Sequence, residues 1–171
     1  MLIVVTGVRG AGKTTLINRL SEVRAFDVLQ PSTTRKPRGY NDHEYDFVEE
    51  WNDSDYAWTI KVGSDKYGFR NSEVEKAKSS NCIIVFDPLQ LEVLQEFLSH
   101  NFYDIVTVGV DTLNTIEDQA DRINNDAKRI MSKEDFTIAR EVVKQCDLVL
   151  KGNEEDVFTT MVNHFKSNNR E

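Results

Sequence analysis

A parallel α/β fold, with helices covering both faces of the sheet, is predicted by three observations. Short apolar, β-branched runs alternate with segments of helical spacing along the chain of 171 residues, which is the pattern of successive βαβ units. The first run, Leu2-Ile3-Val4-Val5, stops at a glycine-rich turn, and Leu16, Ile17, Leu20 and Val23 then recur at helical spacing. There is no internal repeat, low-complexity tract or linker, and the length suits one domain with its own core.

The elements follow in order. The opening strand, turn and helix belong to a core segment, 1–30. Texture changes in 31–80. Ser32 to Tyr40 is basic and polar, Tyr45–Val48 and Trp58–Val62 alternate like half-exposed strands, and Gly63-Ser64-Asp65 signals a turn before Tyr67. This reads as a small, mostly β insertion that closes with a helix from about Asn71 to Lys78. Core elements resume in 81–112. Cys82–Phe86 is a second buried strand. Pro88 suits the first turn of a helix whose apolar face is Leu89, Leu91, Leu94, Phe97 and Leu98, and Tyr103–Val110 is a third strand. Segment 113–145 is helical. A polar helix is expected from about Leu113 to Met131, and Ser132 with Asp135 has capping-box-like spacing before a second helix carrying Phe136, Ala139, Val143 and Cys146 on one side. Segment 146–171 returns to the core with the short strand Leu148–Leu150 and a closing helix marked by Val157, Met161, Val162 and Phe165.

Composition narrows the partners. The formal net charge is −8, so the surface as a whole repels phosphate backbones, and a nucleic-acid partner is not expected. Any phosphate site must be local. Cys82 and Cys146 sit in apolar surroundings without metal-ligand spacing and read as reduced core thiols. The N-terminal apolar run is too short for a signal peptide or a membrane span. A cytoplasmic protein, monomeric or homodimeric, with small-molecule partners and no membrane partner is expected.

Gly7-Val8-Arg9-Gly10-Ala11-Gly12-Lys13-Thr14 fits G-x-x-x-x-G-K-[ST]. The glycines let the backbone curl so that N–H groups face phosphate oxygens, and the helix that starts here adds its positive end. Lys13 is expected at the β- and γ-phosphates of ATP, and the Thr14 hydroxyl on Mg²⁺. Gly7, Gly10, Ala11, Gly12, Lys13, Thr14 and Thr15 form the expected nucleotide-binding set, and the fold narrows to the three-layer P-loop NTPase type. Asp87 ends the second strand, where a carboxylate serves either as a Mg²⁺ ligand, as the N-cap of the Pro88 helix, or as both. In Ser32-Thr33-Thr34-Arg35-Lys36-Pro37-Arg38, two arginines three apart make either a phosphate clamp or a solvated basic turn.

Together these segments resemble guanylate kinase. The family pattern S-x-T-T-R-x-P-R is met by Ser32–Arg38 without its full length, followed by Glu44-Tyr45-Asp46-Phe47-Val48 and Tyr67-Gly68, in matching order across residues 1–90. The resemblance implies that Ser32, Arg35, Arg38, Tyr45 and Tyr67 bind the phosphate of an acceptor nucleotide, with Asp87 beside it. It implies a helical lid over 113–145 with two arginines eleven residues apart, the spacing of Arg129 and Arg140. Such arginines would meet the charge that spreads over the transferring phosphoryl group. Arg122 and Lys128 compete for that role, the alternative for all of them is a helix surface, and Arg9 either touches phosphate or faces solvent. With Lys13, Arg129 and Arg140 form the expected catalytic set.

The departures are specific. Ala57 or Trp58 stands where the family has a guanine-reading Glu, Phe69 follows Tyr67-Gly68 in place of Ser or Thr, and Asn41-Asp42 falls where another Glu belongs. The expected reaction is therefore ATP- and Mg²⁺-dependent phosphoryl transfer to a nucleoside monophosphate, GMP or dGMP first by resemblance, with weakened guanine discrimination and with Trp58 or Phe69 available for stacking. The alternatives are a related kinase for another nucleotide or a phosphorylated sugar, and a non-catalytic guanylate-kinase-like binding module. The intact Lys13 and Thr14 argue against the last.

Overall fold

The computed structural model describes residues 1–23, 26–37, 39, 45–90, 95, 96, 99, 100 and 104–168, without the side chains of 166–168. Five parallel strands form the central sheet: β1 (Leu2–Thr6), β2 (Asp27–Val28), β7 (Cys82–Phe86), β8 (Ile105–Val110) and β9 (Leu148–Leu150), in the order β2-β7-β1-β8-β9. β1 lies in the middle, pairing Leu2 with Cys82 on one side and with Ile105 on the other. All five of its residues are buried, as a central strand covered on both faces requires.

The period-two alternation of β1 divides the core. Ile3 and Val5 pack with Leu16, Ile17 and Leu20 of α1 (Lys13–Glu22), Phe136 and Ala139 of α4 (Lys133–Lys144), and Val157, Met161 and Phe165 of α5 (Glu154–Asn168). Leu2 and Val4 face the other way, onto Val74 and Ala77 of α2 (Asn71–Ser79) and onto Phe69. Each such side chain, fully buried, stabilises the fold by about 1.5–3 kcal/mol.

The β-rich insertion is a second sheet of β3 (Ser32–Thr33), β4 (Asp46–Phe47), β5 (Tyr56–Val62) and β6 (Asp65–Arg70), in the order β4-β3-β6-β5. β5 and β6 form a hairpin, and the two-residue strands β3 and β4 complete it. β3 runs antiparallel to β6, so Ser32 sits opposite Gly68 and Thr33 opposite Tyr67. That register brings the S-T-T-R segment beside the Tyr-Gly dipeptide across more than thirty residues of sequence.

Two elements differ from the sequence expectation. The helix expected over Leu113–Met131 is only α3 (Ile116–Arg122). Asn124 and Asn125 take the left-handed conformation, each with φ 55°, and their N–H groups close on Asp121 O and Ala120 O. Asparagine tolerates this conformation and ends helices with it. At Pro88 the described residues show a 3₁₀ turn, Pro88–Gln90; Leu91, Leu94, Phe97, Leu98 and Tyr103 lie outside the described residues. Ser132 caps α4, accepting from Asp135 N at 3.0 Å. Both cysteines are free thiols, and burial raises the pKa of the half-buried Cys146. Among the described residues no helix is long and apolar enough to cross a membrane.

Candidate active site

The glycine-rich turn leaves β1 at the carboxyl end of the sheet and feeds directly into α1. Gly10 and Gly12 both have positive φ, 84° and 95°, a conformation that a side chain would strain. The loop's carbonyls are turned toward the protein. Val8 O accepts from Ala11 N, Arg9 O from Gln119 Nε2 and Ala11 O from Thr112 Oγ1. In a trans peptide the N–H points opposite to the C=O, so each such bond aims the next residue's N–H away from that partner. Lys13 Nζ donates to Gly7 O at 2.7 Å and to Val8 O at 3.0 Å, which holds the ammonium over the loop.

A cavity of about 470 Å³ opens from this loop toward the second sheet. Gly7, Gly10, Gly12, Lys13, Thr14 and Thr15 line one end; Ala11 is buried behind them. Arg35, Tyr45 and Tyr67, from the part of the chain that carries the second sheet, line it as well. The Tyr45 and Tyr67 rings meet edge to face at 5.5 Å, and the Arg35 guanidinium lies 5.4 Å from the Tyr45 ring centre and 5.2 Å from that of Phe47. Stacking on aromatic faces pre-orients a guanidinium and leaves its edge for an anion. Arg38 lies outside the described residues. Ser32 is fully buried and is not among the described walls. Its Oγ donates to Asp46 Oδ2 at 3.2 Å and accepts from Arg70 Nε at 3.1 Å, so it braces the segment that carries Arg35.

Asp87 lines the cavity from the end of β7, next to β1 in the sheet. Its Oδ1 accepts from Leu89 N at 3.0 Å, so it caps the Pro88 turn and faces the loop together. Thr14 and Asp87 thus bring a hydroxyl and a carboxylate to one cavity, hard oxygen donors suited to Mg²⁺. Among the described walls five cations, Arg9, Lys13, Arg35, Arg122 and Arg129, oppose one carboxylate, Asp87. The site is therefore locally positive in a chain of net charge −8.

The two candidate lid arginines part company. Arg129 lines the cavity, and its Nε is buried without a hydrogen-bond partner. Arg140 is not among the described walls. Its Nε and Nη2 both lie 3.2 Å from Asp111 Oδ1, and its Nη1 donates to Asn114 O at 2.8 Å. Arg122 reaches both this cavity and a second one of about 570 Å³, which also touches Gly12, Thr15, Thr112 and Asn153. There Arg122 pairs with Glu154, and Arg19 with Glu155 at 2.8 Å. Lys128 is exposed on the turn that follows α3.

On β5 the side chains alternate. Ala57 is exposed on the outer side, whereas Trp58, Ile60 and Val62 line the cavity. Trp58 also packs on Phe86, ring centres 5.3 Å apart, and its Nε1 is buried without a partner. Phe69 is 3% exposed inside the core cluster below, so the stacking expected of it is corrected: Trp58 alone of the two reaches the cavity. Asp65 is not among the described walls, and Asn41-Asp42 lies outside the described residues.

Sequence reading missed Gln119, Thr112 and Asp111. A lone Gln, Thr or Asp in a polar stretch carries no motif. Their one signal is position, after the third core strand and opposite the glycine-rich turn.

No protein-family model matches the sequence, and no curated protein matches it. Solved structures do resemble it. A guanylate kinase from Anaplasma phagocytophilum superposes with a TM-score of 0.71 at 16% identity, over 100% of this chain and 87% of that one. A shikimate kinase from Acinetobacter baumannii, in complex with shikimate, gives 0.52 at 17% identity over 99% and 95%. A gluconokinase from Sinorhizobium meliloti gives 0.50 at 9% identity over 99% and 97%. At such identities the likeness is one of fold, and that fold is the P-loop kinase fold, with guanylate kinase matched along the whole chain.

Proposed function

We propose that this protein transfers the γ-phosphoryl group of ATP to a nucleoside monophosphate. The observation that carries the reading is the single cavity of about 470 Å³ that joins the phosphate-binding loop to the Arg35–Tyr45–Tyr67 cluster. Donor and acceptor phosphates would meet in it.

The chemistry asked of the chain is positioning and charge stabilisation. An oxygen of the acceptor phosphate bonds to the γ-phosphorus as the bridge to the β-phosphate breaks, and ADP leaves. That oxygen is already ionised, so no general base is required. Lys13 and the loop N–H groups hold the donor, Arg35 with Arg38, Tyr45 and Tyr67 holds the acceptor, and Arg129 meets the charge on the moving group. Ser32 supports the clamp, and Arg140 ties α4 to Asp111 and Asn114. Thr14 and Asp87 would hold Mg²⁺, which would supply neutralisation of the donor's phosphate charge. The second cavity, reached past Gly12 and Thr15, suits the donor nucleoside.

The acceptor's base is the finer question. Trp58, Ile60 and Val62 offer apolar surface where guanine's donors would need a carboxylate, and each buried unpaired donor costs about 1–3 kcal/mol. That favours a monophosphate other than GMP or dGMP, and it also keeps open a phosphorylated sugar, whose phosphate the same Arg35–Tyr45–Tyr67 cluster would hold. ADP release from Mg·ATP with GMP, dGMP, AMP, CMP, UMP, dTMP and sugar phosphates at matched concentration tests the reading. Turnover of at least one nucleotide is expected. Turnover of sugar phosphates alone moves the acceptor to the second class, and no turnover with intact ADP binding favours a binding module.

A further inference from the structure

One polar side chain in the lid is fully buried and holds both ends of a functional segment. Gln119 of α3 is 0% exposed. Its Nε2 donates to Arg9 O of the phosphate-binding loop at 3.1 Å, and its Oε1 accepts from Met131 N at 3.1 Å. A buried carboxamide is tolerated only when its groups are paired. Here the partners lie 110 residues away in one direction and 12 in the other.

Each bond has a consequence in the cavity. Arg9–Gly10 is a trans peptide. Fixing Arg9 O toward Gln119 therefore turns Gly10 N–H the opposite way, and Gly10 is a cavity wall. The second bond ties Met131 N back to α3 and so closes the loop 119–131, which carries Arg122 and Arg129, both cavity walls. Met131 itself is 5% exposed in the core beside Phe136. Contact around the carboxamide is close. A Cβ built on Gly10 would stand 2.7 Å from Ile123 Cγ2, so α3 rests directly on the loop's turn.

We propose that Gln119 is a positioning residue that orients the phosphate-binding loop and the lid arginine together, so that Gly10 N–H and Arg129 are held in register before substrate arrives. The part concerning Arg129 rests on the kinase reading above; the part concerning Gly10 requires only that the loop binds nucleotide phosphates. Two variants divide the arms. Gln119→Met has nearly the same shape and loses both bonds. Gln119→Glu keeps an oxygen for Met131 N but sets a carboxylate oxygen against Arg9 O.

The experiment measures three quantities on the full chain: urea midpoint, affinity for Mg·ADP, and kcat and KM for transfer to the best acceptor of the panel. Both variants are expected to weaken Mg·ADP binding by about five-fold or more. Only Gln119→Met should also lower kcat, by about ten-fold or more with acceptor KM little changed. Adding Arg129→Ala to Gln119→Met should then cost less than Arg129→Ala costs alone. A shifted urea midpoint with Mg·ADP affinity and kcat within about two-fold of the parent would overturn the proposal and leave Gln119 a core residue. Additive effects of Gln119→Met and Arg129→Ala would overturn the Arg129 arm. If the parent chain transfers phosphate to no acceptor, the kinase reading fails while Mg·ADP affinity still decides the Gly10 arm. If the parent does not bind Mg·ADP, both fall.

Discussion

Replacing Arg140 with methionine leaves the Asp111 carboxylate, whose side chain is 6% exposed, without the guanidinium that now donates to it twice. Removing one partner of a buried pair costs about 3–5 kcal/mol, because the remaining charge stays desolvated. Arg140 is itself 21% exposed, so water reaches the pair from one side, and about 3 kcal/mol is the better figure. For a domain of this size 1 kcal/mol moves Tm by about 2–4 °C, so Arg140→Met should lower Tm by about 6–12 °C. Asp111→Asn combined with Arg140→Met removes the stranded charge and should recover at least half of that loss. Thermal and urea unfolding of the parent, single and double variants measure it, with kcat taken well below the transition. An unchanged midpoint together with a fall in kcat of about a hundred-fold or more would refute the argument. It would assign Arg140 to the transferring phosphoryl group, as the resemblance to guanylate kinase implies.

Lys13→Ala should lower phosphoryl transfer by about 10²–10³-fold while urea stability holds, because the ammonium serves the cavity and not the core; full activity in the folded variant would defeat the kinase reading. Arg35→Ala should raise the KM for acceptor far more than that for ATP, since its guanidinium lies against the Tyr45 ring and belongs to the proposed acceptor clamp; steady-state kinetics with each substrate varied decides this. Trp58→Glu places a carboxylate in the cavity and should shift the acceptor panel toward GMP, which a simple competition of GMP against the best wild-type acceptor measures. Asp147 accepts from Thr107 N at 2.8 Å and from Thr107 Oγ1 at 2.7 Å, and these bonds hold its pKa below the usual carboxylate value. A depressed folded-state pKa gives stability that is full above the unfolded value of about 3.9 and is lost as pH falls through the folded one. Asp147→Asn should therefore flatten the loss of urea stability below about pH 4 relative to the parent.

The sequence by itself determined the parts of this protein that are local. A β-branched run, a glycine-rich turn and an amphipathic helix are contiguous, so the glycine-rich loop, the core strands read at Leu2–Val5, Cys82–Phe86 and Leu148–Leu150, and the Ser132 cap were all legible without a fold. The resemblance to guanylate kinase added the Ser32–Arg38 and Tyr67-Gly68 segments, and the β3–β6 register sets Ser32 and Thr33 beside Gly68 and Tyr67. Tertiary structure decided what depends on register and burial. Trp58 and Phe69 are paired residues on neighbouring strands, yet one reaches the cavity and the other is sealed beneath α2, a division set by the packing of Phe86 and Val74 around them. Arg129 and Arg140 have equal claim as sequence, and only the structure separates them: Arg129 lines the cavity, whereas Arg140 pairs with the buried Asp111. Gln119 reads as a surface residue of a polar helix, and it becomes fully buried because α3 is short and rests on the glycine turn. Each of these outcomes rests on a pairing between residues 11 to 110 positions apart, and side-chain type alone does not encode which distant partner removes a group from water.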